Sequence, residues 1–352
     1  MRYFIITYGC QANKADSERI ERRLSLLGHK KALNIKRANL IVINSCSVRQ
    51  SAMDRLFAKV NKFKGKKIII AGCVLKEDKN KLKEKISEFW HPNEYFDPPA
   101  GGPIHSGSSS AYVPIMTGCD NFCAYCAVPY TRGREKSRPA KDIIKEVKNL
   151  IRKGYKEIWL LGQNVNSYRG KLDFSSIGLA VGSLSKNKIK AQEEKSNFPL
   201  LLKIINAIQG NFRIRFLTSH PKDVSNKLIK VIADSEKIVK EIHLPVQSGD
   251  NQILKKMNRN YTTEQYKNLV KKIKKMIPGV KISTDIIVGF PGETKKQFQN
   301  TVKLAEEIKF DKAYIAKYSP RPGTAAFKLK DNVPFKEKKG RWEILNNLIN
   351  KK

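Results

Sequence analysis

Acidic residues and histidines are scarce in this sequence. It has 32 Asp and Glu against 69 Lys and Arg, and only five His, which gives a formal net charge of +37 at pH 7. No carboxylate pair with the look of a general acid–base dyad is evident. The cationic excess favours a polyanion such as nucleic acid as partner. The alternative is a lysine-rich composition without a specific partner, since the lysines are spread over most of the chain.

Long hydrophobic runs are also absent. Runs such as LIVIN and IWLLG are far shorter than the roughly 20 residues that span a bilayer. The N-terminal MRYFIITYGC lacks a useful basic region and a small-residue cleavage site. The 352 residues, 40% of them hydrophobic, are enough for two or three domains. We therefore expect a cytoplasmic protein with no membrane partner.

Six cysteines fall into two groups of three, and neither group has a fourth member. In a cytoplasmic protein this number indicates metal or redox chemistry rather than disulfides. The first triad lies in TGCDNFCAYC and consists of Cys119, Cys123 and Cys126. The second triad is dispersed along the first part of the chain and consists of Cys10, Cys46 and Cys73.

Residues 1–95 alternate between strand-like and helical patterns. The runs RYFIITYG, LIVINS and KIIIAG predict buried strands of an open parallel sheet in an α/β domain. Each run leads directly to one cysteine of the second triad, at the sheet edge where such folds bind ligands. A single cysteine there would most simply be a small core residue, whereas three together favour a shared site.

The helices of this region can be placed from their signals. The first is predicted to begin near Asp16 or Ser17 and to end at Gly28. The second has apolar residues at helical spacing. These residues are Val48, Ala52, Leu56 and Val60.

A second α/β pattern occupies residues 112–330, after a Pro-, Gly- and Ser-rich linker at 96–111. Six strand-like runs alternate with helices at 139–153, 199–208, 223–235, 262–277 and 294–308, which predicts a partial parallel (β/α)6 barrel. A Lys-rich stretch at about 171–197 is interpreted as an inserted loop on the barrel rim. Residues 331–352 are predicted to form a basic tail with one short helix.

The spacing Cys-x3-Cys-x2-Cys lets three thiolates from one loop reach one [4Fe–4S] cluster. Three protein ligands leave the fourth iron open to a small molecule. Catalytic zinc also takes three protein ligands, usually including histidine. The nearest histidines in sequence, His105 and His91, lie in or beside the predicted linker, so zinc is possible but disfavoured.

The segment GCDNFCAYCAVPYTRGREKSRP resembles the cluster loop of radical S-adenosylmethionine enzymes. Further segments are similar to the methylthiotransferase subgroup, and the match runs from Cys10 to about Ala326. These segments are TYGCQANKADSERI, INSCSVRQSAMDRLF, AGCV, LLGQNVNSYRG, HLPVQSGDNQILKKMNRNYT, STDIIVGFPGET and YSPRPGTAA.

The resemblance implies two [4Fe–4S] clusters, one at each triad, together with S-adenosylmethionine. It also implies that the N-terminal domain covers the carboxyl ends of the barrel strands. The residues expected at the cofactor are Tyr125, Gly162, Gln163, Asn164, Ser248 and Asp285. For the polar ones, the alternative is that each satisfies backbone groups at the barrel mouth.

The implied reaction is methylthiolation of C2 of N6-isopentenyladenosine next to the anticodon of tRNA. Within the family, the alternatives are threonylcarbamoyladenosine in tRNA and an aspartate of a ribosomal protein. Outside the family, the alternative is a cluster- or zinc-bearing nucleic-acid binder without catalysis. The expected partners are tRNA and an electron donor such as flavodoxin or ferredoxin, and the protein is expected to be a monomer.

Two departures from the family pattern stand out. Members normally end in a small RNA-binding β-barrel domain, whereas this chain stops at Lys352. Either the lineage or the sequence is truncated, or the basic surface, including six Lys and Arg of the tail, grips RNA instead. The interval from Cys73 to Cys119 is also short for the family.

Overall fold

A computed structural model of the chain describes residues 1–48, 50–96, 109–171 and 197–351. Most of the predicted linker (97–108) and nearly all of the predicted rim insertion (172–196) lie outside the described residues.

The N-terminal region forms a five-stranded sheet in the order β2-β1-β3-β4-β5, and all four pairings are parallel. Its strands are β1 (Arg2–Thr7), β2 (Lys30–Lys31), β3 (Leu40–Cys46), β4 (Lys67–Cys73) and β5 (Glu88–Trp90). Its helices are α1 (Gln11–Leu26), α2 (Gln50–Lys62), α3 (Lys76–Leu82) and α4 (Asn93–Phe96). This agrees with the predicted open parallel sheet.

Strands β3 and β4 lie in the interior of this sheet. Helices cover both faces of the sheet. Every residue of Leu40–Cys46 is buried, as expected of a parallel strand covered on both sides. Ile20 and Leu24 of α1 pack on one face, and Met53 and Leu56 of α2 pack on the other.

Three local details of the N-terminal region differ from the sequence predictions. Helix α1 begins at Gln11 rather than near Asp16, because the Asn13 side chain accepts a hydrogen bond from the Cys10 amide at 3.2 Å and starts the helix earlier. Val48 precedes α2 and is 44% exposed. The two- and three-residue strands β2 and β5 are too short to leave a sequence pattern.

Six further parallel strands follow in chain order and form a partial barrel. The sheets β6-β9-β10 and β11-β12-β13 are linked through a parallel bridge between Ile214 and Ile238. The strands are β6 (Ser110–Pro114), β9 (Glu157–Leu161), β10 (Arg213–Phe216), β11 (Glu241–His243), β12 (Lys281–Val288) and β13 (Lys312–Lys317). A small antiparallel pair, β7 (Met116–Thr117) and β8 (Lys136–Ser137), brackets the first triad. The six-stranded partial barrel is confirmed.

Helices surround the barrel strands and bury one large hydrophobic core. They are α5 (Val128–Arg132), α6 (Ala140–Arg152), α7 (Phe198–Asn206), α8 (Asn226–Asp234), α9 (Asn251–Lys256), α10 (Thr263–Met276), α11 (Lys295–Ile308) and α12 (Phe335–Asn350). In the part of the chain that the structure describes, no helix is long and apolar enough to cross a membrane.

Helix α12 corrects the interpretation of the basic tail. Leu345 and Ile349 join the barrel core. Lys338 and Arg341 are both 4% exposed, and they pair with Asp331 and Glu293 at 2.7 and 2.5 Å. Two of the tail's six cations are therefore buried in ion pairs inside the protein and cannot face RNA.

The N-terminal sheet and the barrel meet through buried arginines. Arg19 of α1 reaches Glu146 of α6 at 3.4 Å, and Arg138 binds the same carboxylate at 2.8 Å. Arg321, which follows β13, donates to the Gln50 side chain at the start of α2. The carboxyl end of the barrel therefore faces the N-terminal sheet at the edge where its cysteines lie.

Candidate active site with two cysteine triads

The first triad lies on the loop between β7 and α5. Gly118 adopts a φ of +76°, and a Cβ there would lie 2.0 Å from the Arg134 carbonyl oxygen. The loop folds on itself, because the Cys126 amide donates to the Cys123 carbonyl at 2.9 Å. A five-residue helix, α5, begins two residues after Cys126. The three cysteines therefore lie on one short loop that its own backbone helps to close.

The segment after α9 holds this loop in position. The Asn258 side chain donates to the Phe122 and Asn121 carbonyl oxygens at 2.9 and 3.3 Å. The Arg259 guanidinium is 6% exposed and donates to the Cys123 sulfur at 3.5 Å. It also donates to the Tyr261 hydroxyl and the Pro245 carbonyl oxygen. A buried cation therefore lies against one thiol of the first triad.

Burial shapes the protonation of the first triad. It raises the pKa of Cys126 to about 12, and the neighbouring Cys123 adds to the shift. Burial likewise raises the pKa of Cys119, opposed by hydrogen bonds from Asn121. Thiolates are the metal-binding form of cysteine. Positively charged iron at this site would stabilise the thiolate form of these buried sulfurs.

The second triad is assembled by three strand ends. Cys46 and Cys73 are direct partners in the register of β3 and β4. Cys10 lies just past β1 and is the N-cap of α1. Cys46 and Cys73 are 8% and 3% exposed, whereas Cys10 is exposed. The three cysteines are free thiols at one edge of the sheet, as the sequence analysis predicted.

Two buried asparagines fix the edge beside Cys10. Asn13 donates to the Asn44 side-chain oxygen at 3.0 Å, and Asn44 donates back to the Asn13 carbonyl oxygen at 2.7 Å. Asn44 also donates to the Ser17 hydroxyl at 2.9 Å. Fully satisfied buried networks of this kind hold their elements in one arrangement.

Close packing at Gly72 brings the other two cysteines together. Gly72 has a φ of +93°, and a Cβ there would lie 2.3 Å from the Ser45 carbonyl oxygen. The Ser47 amide donates to the Cys73 carbonyl at 2.6 Å. The glycine is therefore required for the close approach of the strand ends that carry Cys46 and Cys73.

Charge is arranged differently at the second triad. The thiol of Cys46 donates a hydrogen bond to Cys73, and with the nearby Arg132 this lowers the pKa of Cys73 to about 6 despite its burial. The same bond, together with burial, raises the pKa of Cys46 well above its usual value. Arg132 donates from Nε to the Cys73 sulfur at 2.9 Å and from Nη2 to Asp16 at 2.5 Å.

The donor sets are of the type that holds iron–sulfur clusters, which are bound by cysteine thiolates. Within the described ranges, no three His, Cys, Asp or Glu side chains converge closely enough to hold one metal ion. A cubane binds each thiolate through a different iron, so its ligands stay farther apart than those of a single zinc ion. Two sets of three free thiols, each with a buried arginine against one sulfur, match the cluster chemistry.

The predicted cofactor contacts divide into two groups. Asn164 and Ser248 are buried and bonded inside the protein, Asn164 to Asp223 at 2.7 Å and Ser248 to the Asp250 amide at 3.2 Å. Asp285 lies within β12, and its carboxylate reaches His243 at 3.3 Å. For these three residues the structure supplies protein partners.

The other predicted contacts lie around the barrel mouth. Gly162 follows β9, where a Cβ would lie 2.4 Å from the Met116 side chain, so packing alone requires glycine. Tyr125 packs beside the cluster of Ile253, Met257 and Phe290. Gln163, the residue after Gly162, has a buried amide oxygen with no hydrogen-bond partner among the described residues.

Three more buried polar atoms at this mouth lack a partner within the described part of the chain. They are Thr117 Oγ1, Asn166 Nδ2 and Gln247 Oε1. Each follows, or lies at the end of, a strand on the carboxyl side of the barrel. Unsatisfied buried groups are rare in proteins, so this set fits a polar ligand such as S-adenosylmethionine. Gln247 has a φ of +70°. All three residues lie in segments quoted in the sequence analysis, TGCDNFCAYC, LLGQNVNSYRG and HLPVQSGDNQILKKMNRNYT, but none was among the predicted cofactor contacts.

Comparison with protein families agrees with this geometry. Residues 113–305, more than half of the chain, match the model described as "Radical SAM superfamily". Residues 2–90 match the model described as "Uncharacterized protein family UPF0004". The two matches contain the first and the second triad, respectively.

Individual relatives cover nearly the whole chain. A protein of Clostridium tetani named tRNA-2-methylthio-N(6)-dimethylallyladenosine synthase is 40% identical over 388 residues, which include 99% of this chain and 81% of the relative. A protein of the same name from Syntrophomonas wolfei is 42% identical and covers 98% and 81% of the two chains.

Among solved structures, the radical S-adenosylmethionine methyltransferase TsrM from Kitasatospora setae superposes with a TM-score of 0.61 at 11% sequence identity. It covers 93% of this chain and 75% of its own. At this identity the likeness concerns the fold alone.

Proposed function

The chain belongs to the radical SAM superfamily and, within it, to the family whose relatives are named tRNA-2-methylthio-N(6)-dimethylallyladenosine synthase, and from this we propose that it inserts sulfur and a methyl group at C2 of N6-isopentenyladenosine in tRNA. One observation carries the proposal. Two separate sets of three free thiols, each one ligand short of a complete cluster site, lie at facing ends of the sheet and the barrel.

We assign one [4Fe–4S] cluster to each triad. When bound, the clusters and S-adenosylmethionine supply the electron, the radical chemistry and the sulfur. The protein's own residues bind the clusters, orient S-adenosylmethionine and exclude water. The first cluster would be held by Cys119, Cys123 and Cys126. The second would be held by Cys10, Cys46 and Cys73.

The barrel mouth is the proposed site of S-adenosylmethionine. Its polar atoms without protein partners, at Thr117, Gln163, Asn166 and Gln247, are the groups available to orient the cofactor. Tyr125 lies on the first-triad loop at this mouth. Asn164 and Ser248 would then support the strand ends, because their own hydrogen bonds are already made inside the protein.

Helix α5 is the direct link between the two proposed cluster sites. It starts two residues after Cys126 and ends at Arg132, whose guanidinium contacts Cys73. A substrate carbon that receives sulfur must lie between the two sites, and the short helix keeps them adjacent. The residue ranges proposed for the parts are 1–95 for the second-cluster domain, 96–111 for the linker, 112–330 for the barrel, and 331–352 for a C-terminal segment whose helix α12 packs on the barrel core.

The remaining assignments follow from the reaction class. Reductive cleavage of S-adenosylmethionine needs an external one-electron donor, for which flavodoxin or ferredoxin is suited. We propose that the enzyme is a cytoplasmic monomer and that its net charge of +37 attracts tRNA from a distance. The inward pairing of Lys338 and Arg341 leaves this role to other cations.

Mass spectrometry of tRNA nucleosides tests the substrate. A strain that lacks this protein should lose methylthio-isopentenyladenosine and accumulate isopentenyladenosine, and the wild-type chain should restore the product. If the methylthio nucleoside persisted undiminished, the substrate assignment would be wrong. A loss of methylthiolation confined to threonylcarbamoyladenosine or to a ribosomal protein would identify that molecule as the substrate instead, within the same family.

Anaerobic reconstitution tests the enzyme class against a non-catalytic binder. We expect about eight irons per chain, which corresponds to two four-iron clusters, and cleavage of S-adenosylmethionine after reduction. Uptake of a single zinc ion, or of iron without any cleavage, would favour the nucleic-acid-binding alternative.

A further inference from the structure

Arg132 occupies an unusual position between the two triads. It is the last residue of α5, and its side chain is buried with only 4% of the residue exposed. One guanidinium nitrogen donates to the Cys73 sulfur at 2.9 Å, and another donates to the Asp16 carboxylate at 2.5 Å. Asp16 belongs to α1, so the barrel supplies the cation while the N-terminal region supplies both the sulfur and the counter-charge.

We propose that Arg132 and Asp16 form a buried charge pair that sets the reduction potential of the cluster at the second triad. Arg132 is then a positioning residue that stabilises added negative charge, and Asp16 opposes it. The inference rests on the proposed function, because it requires a [4Fe–4S] cluster at Cys10, Cys46 and Cys73.

The sign of each contribution follows from electrostatics. Hydrogen bonds to cluster sulfurs and nearby charges are among the factors that set cluster potentials. Reduction adds an electron, so a cation beside a ligand sulfur favours the reduced state and an anion disfavours it. Arginine stays protonated even when buried, so its charge is present at every working pH.

The first triad has a different arrangement and provides the contrast. Arg259 lies 3.5 Å from the Cys123 sulfur, and its other donors serve the Tyr261 hydroxyl and the Pro245 carbonyl oxygen. The full guanidinium charge therefore acts on the first site. At the second site a carboxylate offsets part of the charge, which gives that site a separately adjustable potential.

The test measures the potential of each cluster in the full-length, reconstituted protein by a redox titration followed by electron paramagnetic resonance. The signal that persists in Cys123→Ala is assigned to the second cluster. Two single variants, Arg132→Met and Asp16→Asn, should move this potential in opposite directions. We expect Arg132→Met to lower it and Asp16→Asn to raise it, each by about tenfold in the reduction equilibrium, or about 59 mV for one electron.

Arg19→Met is the matched control. Arg19 is a fully buried arginine of the same interface, paired with Glu146 and not with a sulfur. Its loss should shift the second-cluster potential clearly less than Arg132→Met does, because Arg19 acts on Asp16 only through space and contacts no sulfur. The first-cluster potential should be unchanged in the Arg132 and Asp16 variants, which a general loosening of the protein would not achieve.

Arg132→Met leaves Asp16 buried without its cation, which can prevent folding. The double variant Asp16→Asn/Arg132→Met removes both charges, and its potential should lie between those of the single variants. Shifts of the same sign in both single variants, or no shift in Asp16→Asn, would overturn the inference. Failure of the wild-type chain to hold a second cluster would instead overturn the proposed function.

Discussion

The two cysteine triads reach the same chemical end by opposite structural routes. The first is a single loop of eight residues, Cys119 to Cys126, closed by its own backbone bonds. The second collects Cys10, Cys46 and Cys73 from three strand ends separated by up to 63 positions in sequence. A local loop can form its site from short-range contacts, whereas the second site exists only when the whole sheet has its correct register.

This difference also separates how each site can fail. A change in the first loop should affect that loop and its neighbours near Asn258 and Arg259. A change beneath the second triad should alter strand spacing and thus all three thiols together. The barrel further contributes Arg132 to the second site, so that site depends on docking as well as on folding.

Removal of one ligand from each triad should separate their roles most strongly. Cys123→Ala should abolish reductive cleavage of S-adenosylmethionine, because the first cluster would lose a ligand. Cys46→Ala should leave cleavage measurable and stop sulfur insertion. Release of 5′-deoxyadenosine and formation of the methylthio nucleoside are measured in parallel on both variants. Methylthiolated product from Cys46→Ala would contradict the division of labour between the triads.

The glycine beneath the second triad should give the next largest effect. Gly72→Ala places a Cβ 2.3 Å from the Ser45 carbonyl oxygen at a φ of +93°. We expect a loss of about 3 kcal/mol or more in the free energy of unfolding, from αL-type strain plus a forced shift of the strand ends. Denaturant unfolding of the apo-protein measures this loss.

Gly65→Ala is the control for backbone strain alone. Gly65 has a φ of +91° with no atom within 4 Å of the added Cβ, so its cost should be about 1–2 kcal/mol. Equal costs at the two glycines would show that close packing of the strand ends is unimportant.

The buried asparagine pair should give a smaller effect, confined to the second triad. Asn44→Ala removes the two hydrogen bonds that Asn44 donates and the side-chain oxygen that accepts from Asn13, whereas Asn13 keeps its longer bond to the Ser45 carbonyl oxygen. We expect a loss of about 1–3 kcal/mol and weaker iron retention at the second triad alone. Iron analysis of the Asn44→Ala and Cys123→Ala proteins separates the two clusters.

Asn61→Ala is the surface control in the same sheet domain, since Asn61 is exposed and accepts one long hydrogen bond of 3.4 Å. It should change neither stability nor iron content appreciably. If Asn44→Ala behaved like Asn61→Ala, the asparagine network would have no part in forming the site.

The sequence allowed the two triads to be predicted to different depths. The first follows from its spacing alone, and the strand-end location of the second follows from three buried runs that each lead to a cysteine. The contact of Arg132 with Cys73 could not be predicted, because it joins the end of helix α5 to a strand end of the N-terminal sheet 59 positions earlier in the sequence. Asp16 has the residue type of a helix start, yet burial against Arg132 gives it a different role. Side-chain pairing of this kind depends on docking, which leaves no periodic signal.

The support of the first triad by Asn258 should give the smallest effect. Asn258 has a φ of +55° and donates to the Phe122 and Asn121 carbonyl oxygens. Asn258→Gly allows the positive φ without strain and removes these bonds, so we expect a loss of about 1 kcal/mol in the free energy of unfolding. Asn258→Ala removes the same bonds and adds αL strain, so its loss should be about 1–2 kcal/mol greater. Denaturant unfolding of both variants resolves the two contributions. A first triad held mainly by its own loop should still bind its cluster in Asn258→Gly, and loss of that cluster would mean that the local route also depends on distant support.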